Sequence, residues 1–202
     1  MDTIAQINNH RSIRRFQDRA IEPALLDEIL TCGLRASNTG KMQIYSIIVT
    51  QEPKLRKKLS DLHFGQGASA PLHLTVCVDI NRYHHWCRMR GCDEPYDNFL
   101  WLMSGTVDAS LCAQNICVAA ESKGLGFCYL GTVLYNTAAI AELLELPHAH
   151  VMASHSNARA LAGHVRNLTD AMIRTIADRG GVTGINYCAN FRTDCRIPTD
   201  RF

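Results

Sequence analysis

Residues 98–123, NFLWLMSGTVDASLCAQNICVAAESK, decide the fold. Leu100, Met103, Val107, Leu111, Ile116 and Val118 recur at helical spacing, with Gly105, Ala109, Ser110, Ala113, Ala119 and Ala120 between them. Apolar or small residues therefore cover most of the circumference. A helix of that kind is buried, in a core or in a subunit interface. Gly124, Leu125 and Gly126 end it, and FCYLGTV (127–133) reads as a strand.

The rest of the chain arranges itself around this helix. Residues 3–9 read as a short helix. Pro23 to Ser37 reads as a longer one, with Leu25, Leu26, Ile29, Leu30 and Leu34 on one stripe and Pro23 suited to its first turn. SNTGKMQ (37–43) is a polar loop, and Ile44 to Thr50 is a near-continuous β-rich run typical of a buried strand. KLRKKLSDL (54–62) continues as an amphipathic helix and Ala70 to Ile80 ends in a second buried strand. NRYHHWCRMRGCDEPYD (81–97) reads as a loop or a broken helix, and Ala138 to Leu146 as a last amphipathic helix stopped by Pro147. Strands separated by helices around one long helix predict an α+β class.

At 202 residues and 47% hydrophobic content the chain can bury a real core. No run of eighteen apolar residues occurs, and MDTIAQINNH lacks the basic-then-apolar layout of a signal peptide, so a cytoplasmic protein without a membrane span is expected. Nine cysteines is an odd number, and several sit in apolar runs, so they read as reduced core thiols. A net charge of +2 argues against a nucleic-acid binder, which would carry a basic stripe.

Against that balance, HRSIRRF (10–16) concentrates three arginines, one histidine and one hydroxyl. Guanidinium donors, a Ser hydroxyl and backbone amides together suit a phosphate, supplying charge and bidentate hydrogen bonds. On spacing alone the same stretch also reads as a solvated basic face. Ser37, Asn38, Thr39 and Gln43 in SNTGKMQ could hold a polar heterocycle or sugar-phosphate, or could merely cap a helix. GLGFCYLGT (124–132) could bring backbone amides to a ligand, or be a plain Gly-rich turn. His84, His85, Cys87 and Cys92 lie close together but form no CxxC pair and share their patch with Arg82, Arg88 and Arg90, so no metal site is expected. No GxSxG, P-loop or complete dinucleotide fingerprint occurs.

Taken in order, HRSIRRF, ASNTGKMQIYSIIVT and AQNICVAAESKGLGFCYLG resemble the nitroreductase family over about residues 3–152. The resemblance is to oxygen-insensitive NAD(P)H nitroreductases and flavin reductases. It implies a nitroreductase-like fold: a central antiparallel or mixed sheet flanked by helices, and a homodimer packed through the long central helix with FMN at the interface. It implies that His10, Arg11, Ser12 and Arg14 surround the FMN phosphate and the pyrimidine edge. Ser37, Asn38, Thr39 and Gln43 would lie against the flavin and ribityl chain, and Gln66 would contact the ring. Tyr129, Leu130 and Gly131 would reach the reactive N5 side.

The implied activity carries hydride from NAD(P)H through FMN to a nitroaromatic, quinone or flavin acceptor by a ping-pong scheme. It needs no catalytic side chain, because the flavin bears the chemistry.

The resemblance stops near residue 152. AHVMASHSNARALAGHVR (149–166) stands where the family has a core strand and further phosphate-site residues. Residues 1–152 are therefore expected to form the FMN-binding domain, with 153–202 an aberrant C-terminal segment. A frame disruption near residue 152 would account for the change, since permitted codons for 153–159 read one base later can encode a strand of the family's kind. Such a chain would be a defective or merely flavin-binding relative without turnover.

Overall fold

A computed structural model describes residues 2–94, 99–146, 152–153, 169–171, 173–174 and 182–183. The chain divides into two compact units, Met1–Arg56 with Gly67–Tyr129, and Lys57–Gln66 with Leu130–Phe202.

In the first unit, α1 (Thr3–Asn8) begins where Asp2 accepts the Ala5 N–H at 2.9 Å, meeting one of the donors that a helix start leaves open. α2 (Pro23–Leu34) has Pro23 at its start, where the missing N–H costs nothing. β1 (Tyr45–Thr50) and β2 (His73–Val78) pair antiparallel, with Tyr45 opposite Val78 and Thr50 opposite His73. α4 (Ile80–Arg90) and α5 (Phe99–Ser122) follow. α3 (Pro53–Leu62) contains the boundary between the units, after Arg56.

α5 is the axis of this unit. Gly105, Asp108, Ala109, Cys112, Ile116, Cys117 and Ala120 form its buried face, at the three- and four-residue spacing that places side chains on one side of a helix. It packs against α2, α1, α4, both strands and the 3₁₀ turn at Thr39–Lys41. The core gathers Ile29, Ala36, Tyr45, Ala109, Cys112, Ile116 and Ala120. Gly33 sets the α2–α5 approach, because a Cβ there would stand 2.5 Å from Ile116 Cγ1 and 3.1 Å from Cys112 Sγ.

In the second unit, the Asn136 side-chain amide donates to the Leu62 carbonyl, and His63 meets the Thr132 hydroxyl. A 3₁₀ turn spans Gly131–Leu134, and α6 covers Thr137–Leu143. β3 (Met152–Ala153) and β4 (Val182–Thr183) pair in parallel. Parallel strands need a crossover between them. The described backbone at 170–171 and 173–174, between the two strands, is helical, with Ile173 N–H bonded to the Thr169 carbonyl at 2.9 Å. The other residues of 165–177, the one helix-like stretch that the sequence shows after residue 150, lie outside the described residues.

Two expectations are corrected. Residues 80–90 form a regular helix, not a loop or broken helix: Asp79 caps it by accepting the Arg82 N–H at 3.0 Å, and Gly91 closes it in the left-handed conformation. The expected strand at 127–133 is absent. Phe127 makes one parallel bridge to Ser12, while Thr132 accepts the Tyr135 N–H at 3.0 Å, so local turn bonds replace a ladder there. Within the chain α5 buries one face and leaves the other exposed, with Phe99, Leu100, Met103, Val107 and Leu111 between 44% and 71% exposed.

Candidate functional site

The arginine segment is extended and fixed at its centre. Ile13 donates its N–H to the Phe127 carbonyl at 2.9 Å, and Ser12 bridges Phe127 in parallel. Gly126 allows this approach, because a Cβ there would come within 2.8 Å of Ile13 Cγ2. With Ile13 turned inward, the residues beside it face out, and Arg11, Ser12, Arg14 and Arg15 are all exposed. None of the three arginines has a carboxylate partner among the described residues. Unpaired guanidinium groups on a fixed segment hold charge and donors ready for an anion.

His10 behaves differently from its neighbours. Its Nδ1 lies 2.8 Å from Glu121 Oε1 and 4.0 Å from Cys117 Sγ, both on α5. Burial, followed by the Glu121 charge, pushes the Cys117 thiol up to about 11, so it stays protonated near neutral pH.

The SNTGKMQ loop is braced largely by its own polar residues. Asn38 donates from its amide to the Ala36 carbonyl at 3.4 Å and accepts the Gln43 N–H at 3.2 Å. Gln43 donates from its side chain to the Leu34 carbonyl at 3.3 Å. Arg82 of α4 donates to the carbonyls of Gln43 and Tyr45. Gly40, Lys41 and Gln43 all have positive φ, of 56°, 59° and 47°, a region costly for residues with a Cβ. The loop keeps this shape because Asp108 clamps it. The Thr39 N–H lies 3.0 Å from both Asp108 carboxylate oxygens, and the Thr39 hydroxyl lies 3.0 Å from Oδ1.

Tyr129 is half-exposed, donates its hydroxyl to Gln114 Oε1 at 3.3 Å, and packs edge-on against Phe127 with ring centroids 5.2 Å apart. Gln66, Leu130 and Gly131 belong to the second unit. There Gln66 bonds through its N–H to the His63 carbonyl at 3.1 Å and accepts the Ser60 hydroxyl at 3.0 Å through its own carbonyl, leaving its side chain exposed.

The first unit thus holds His10, Arg11, Ser12, Arg14, Ser37, Asn38, Thr39, Gln43 and Tyr129. Asp108 and Glu121, which support two of these groups, were missed by sequence reasoning. Asp108 carried a signal: an acidic residue inside an apolar helix face is buried only when partnered.

The comparisons with known proteins agree with the order of these segments. The nitroreductase-family model matches residues 7–82 and 104–156. A second model, of membrane dipeptidase (peptidase family M19), matches residues 135–197. An out-of-frame reading has no reason to resemble any family, so the second match counts against a frame disruption near residue 152 and for a tail with its own in-frame pattern. The FMN reductase (NADPH) of Bacillus subtilis is 34% identical over 172 residues, covering 83% of this chain and 68% of the relative. The oxygen-insensitive NADPH nitroreductase of Salmonella typhimurium is 35% identical, with 74% and 61% covered.

Among solved structures, the NfrA1 nitroreductase of Bacillus subtilis has a TM-score of 0.68 at 33% identity, covering 71% of this chain and 60% of that one. The NADPH:FMN oxidoreductase of Vibrio harveyi complexed with NAD+ has a TM-score of 0.65 at 34% identity, with 71% and 62% covered. The Salmonella typhimurium relative and these two solved structures each have about two fifths of their own length without a counterpart here. The fold, the order of the three motif segments and the extent of these matches agree, and the chain belongs to the nitroreductase family.

Proposed function

We propose that this chain is an FMN-dependent NAD(P)H oxidoreductase. The observation that carries the reading is the fixed segment at 10–16, where Arg11, Arg14 and Arg15 project from backbone tied to Phe127 with no carboxylate partner among the described residues. This donor set fits the dianionic phosphate of FMN. Arg11, Ser12 and Arg14 would hold the phosphate, and the clamped loop at Ser37–Gln43 would line the ring and ribityl chain with polar edges. Tyr129 would close the far side of the first unit's share of the site.

Bound FMN supplies the two-electron chemistry between NAD(P)H and a nitroaromatic, quinone or flavin acceptor. The chain's own residues bind, orient and neutralise charge, which is where a protein contributes to a cofactor-borne reaction. Relatives named for NADPH-dependent flavin and nitro reduction support this.

A homodimer is part of the proposal. Phe99, Leu100, Met103, Val107 and Leu111 recur on the outer side of α5, and five large apolar side chains in one exposed stripe mark an interaction surface. A second copy presenting the same stripe would cover it. No helix among the described residues is long and apolar enough to cross a membrane. The seven described cysteines are all free, which supports the proposed cytoplasmic location.

The test is to purify the full chain, record its visible spectrum, and add NADPH and then NADH without oxygen. A bound flavin spectrum bleached by either nucleotide is the expected result. No flavin uptake even after adding FMN would sink the reading. Bound flavin that neither nucleotide bleaches would instead favour a flavin-binding protein without turnover, a reading that the second family's match over 135–197 makes worth testing.

A further inference from the structure

We propose that His10, Cys117 and Glu121 form a binding site for a divalent zinc-type cation. Sequence reading looked for metal ligands among neighbours in the chain and expected no site. These three donors are 107 and 111 residues apart and are brought together only by the fold. One donor atom from each lies within 4.8 Å of the others, with His10 Nδ1 2.8 Å from Glu121 Oε1 and 4.0 Å from Cys117 Sγ.

Cys117 and Glu121 stand four residues apart on α5 and therefore share a face. His10 follows α1, with its N–H on the Ile7 carbonyl at 3.2 Å, and the chain three residues on is tied to Phe127. All three donors thus sit on backbone already held by main-chain hydrogen bonds.

The spacing suits zinc with small adjustments. At tetrahedral angles, Zn–S near 2.3 Å and Zn–N near 2.0 Å put sulfur and nitrogen about 3.6 Å apart, and nitrogen and oxygen about 3.3 Å apart. The observed 4.0 Å and 2.8 Å lie within roughly half an ångström of those values; rotation of the Glu121 side chain opens the shorter distance, and rotation of the partly exposed His10 side chain closes the longer one. Mixed sulfur, nitrogen and oxygen donors select Zn2+ over the harder Mg2+ and Ca2+.

Charge also closes. On coordination the Cys117 thiol releases its proton to solvent, and thiolate plus carboxylate neutralise the dication, so the neighbouring arginines meet no net positive charge. Cys117 is fully buried and Glu121 nearly so, while His10 is 42% exposed, which leaves the fourth position open on the solvent side. Three protein ligands and one open position make a complete tetrahedral set. An ion held there would lock the start of the arginine segment to α5.

The site is tested on the full chain, stripped with a chelator and given one equivalent of Zn2+. Zinc K-edge X-ray absorption should show one sulfur scatterer with nitrogen and oxygen neighbours, and Cys117→Ser should lose the sulfur. Competition with a chromophoric chelator should give at least tenfold weaker Zn2+ binding in Glu121→Gln, a variant that keeps side-chain shape and one acceptor oxygen. The exposed-thiol variant Cys92→Ser should match the parent in both measurements. Absence of a sulfur scatterer at one equivalent overturns the proposal. Unchanged Zn2+ affinity in Glu121→Gln also overturns it, whether or not Cys117→Ser folds. Neither measurement depends on bound flavin or on turnover.

Discussion

The carboxylate of Asp108 accepts both the backbone N–H and the hydroxyl of Thr39, at 3.0 Å each, and so ties the central helix to the loop that turns into β1. Asp108 is 2% exposed, and no cation pairs with it among the described residues. Removing the carboxylate would strand two donors in a half-buried place, and a stranded buried donor costs about 1–3 kcal/mol. Asp108→Ala should therefore lose about that much stability in urea denaturation and bind FMN at least tenfold more weakly by fluorescence quenching. Asp108→Asn, which keeps one acceptor oxygen, should fall between. An Ala variant with parental flavin affinity would show that the loop holds its shape without the clamp.

Gly126 lies under the arginine segment. A methyl group there would stand 2.8 Å from Ile13 Cγ2 and 3.0 Å from Ile13 Cβ, on a β-branched side chain with little rotamer freedom to retreat. Gly126→Ala should push residues 12–14 away from Phe127 and disturb the guanidinium groups more than the ring slot. Its FMN affinity should fall while its affinity for riboflavin, which has no phosphate, stays near the parental value. Equal losses for both ligands would place the damage elsewhere.

Arg11 is the first unpaired guanidinium of that segment. If the phosphate rests on Arg11 and Arg14, Arg11→Ala should abolish retention of flavin through gel filtration. Its fold should survive, because an exposed side chain away from packing usually changes stability by less than about 0.5 kcal/mol. A variant that stays yellow would remove Arg11 from the phosphate site.

The sequence carried α2 and α3 through helical spacing, as with Leu26 and Ile29 on the stripe of α2, and α5, β1 and β2 through long apolar runs bounded by polar loops. It misread 81–90 because Arg82, His84, His85, Arg88 and Arg90 hide any apolar stripe, while the deciding groups, the Asp79 cap and Gly91, lie at the ends. FCYLGTV looked like a strand because its residues favour β structure, but propensity cannot supply a neighbour to pair with, and among the described residues it makes a single bridge, from Phe127 to Ser12. The same limit applies to the site. HRSIRRF and SNTGKMQ were legible as local runs of donors, whereas Asp108 and Glu121 act across 69 and 111 residues.

Tyr45 gives a pH dependence with a definite sign. Its hydroxyl is buried and has no hydrogen-bond partner among the described residues, and burial, followed by the Cys112 thiol beside it, pushes its pKa from 10.0 up to about 12. The native state thus favours the neutral phenol more than the unfolded chain does. This stabilising effect is whole below about pH 10 and is lost as pH rises towards 12. The urea midpoint should therefore fall as pH rises from about 10 towards 12. Tyr45→Phe, which cannot ionise, should flatten that fall and cost little at pH 7, since it removes a hydroxyl with no partner. A fall as steep in the Phe variant would assign the dependence to other groups, among them Tyr129, whose pKa is also raised to about 12.

The outer face of α5 is where the proposed homodimer would form. Met103, Val107 and Leu111 recur every four residues and stay exposed, while Gly105, Asp108, Ala109 and Cys112 on the other side reach the core. One helix thus carries two apolar surfaces, of which the single chain covers one. Water ordered over the second favours a contact that removes it, at roughly 25 cal/mol for each Å² of apolar area covered. Two copies packed through this stripe would put like residues near a two-fold axis, so a charge placed at Val107 would face its own copy across a dry contact. Val107→Glu should shift the mass measured by light scattering from dimer to monomer, with far-UV circular dichroism unchanged, because the residue lies outside the core. A parent chain that is already monomeric at micromolar concentration, or a Val107→Glu variant that remains dimeric, would leave this face without the partner assigned to it.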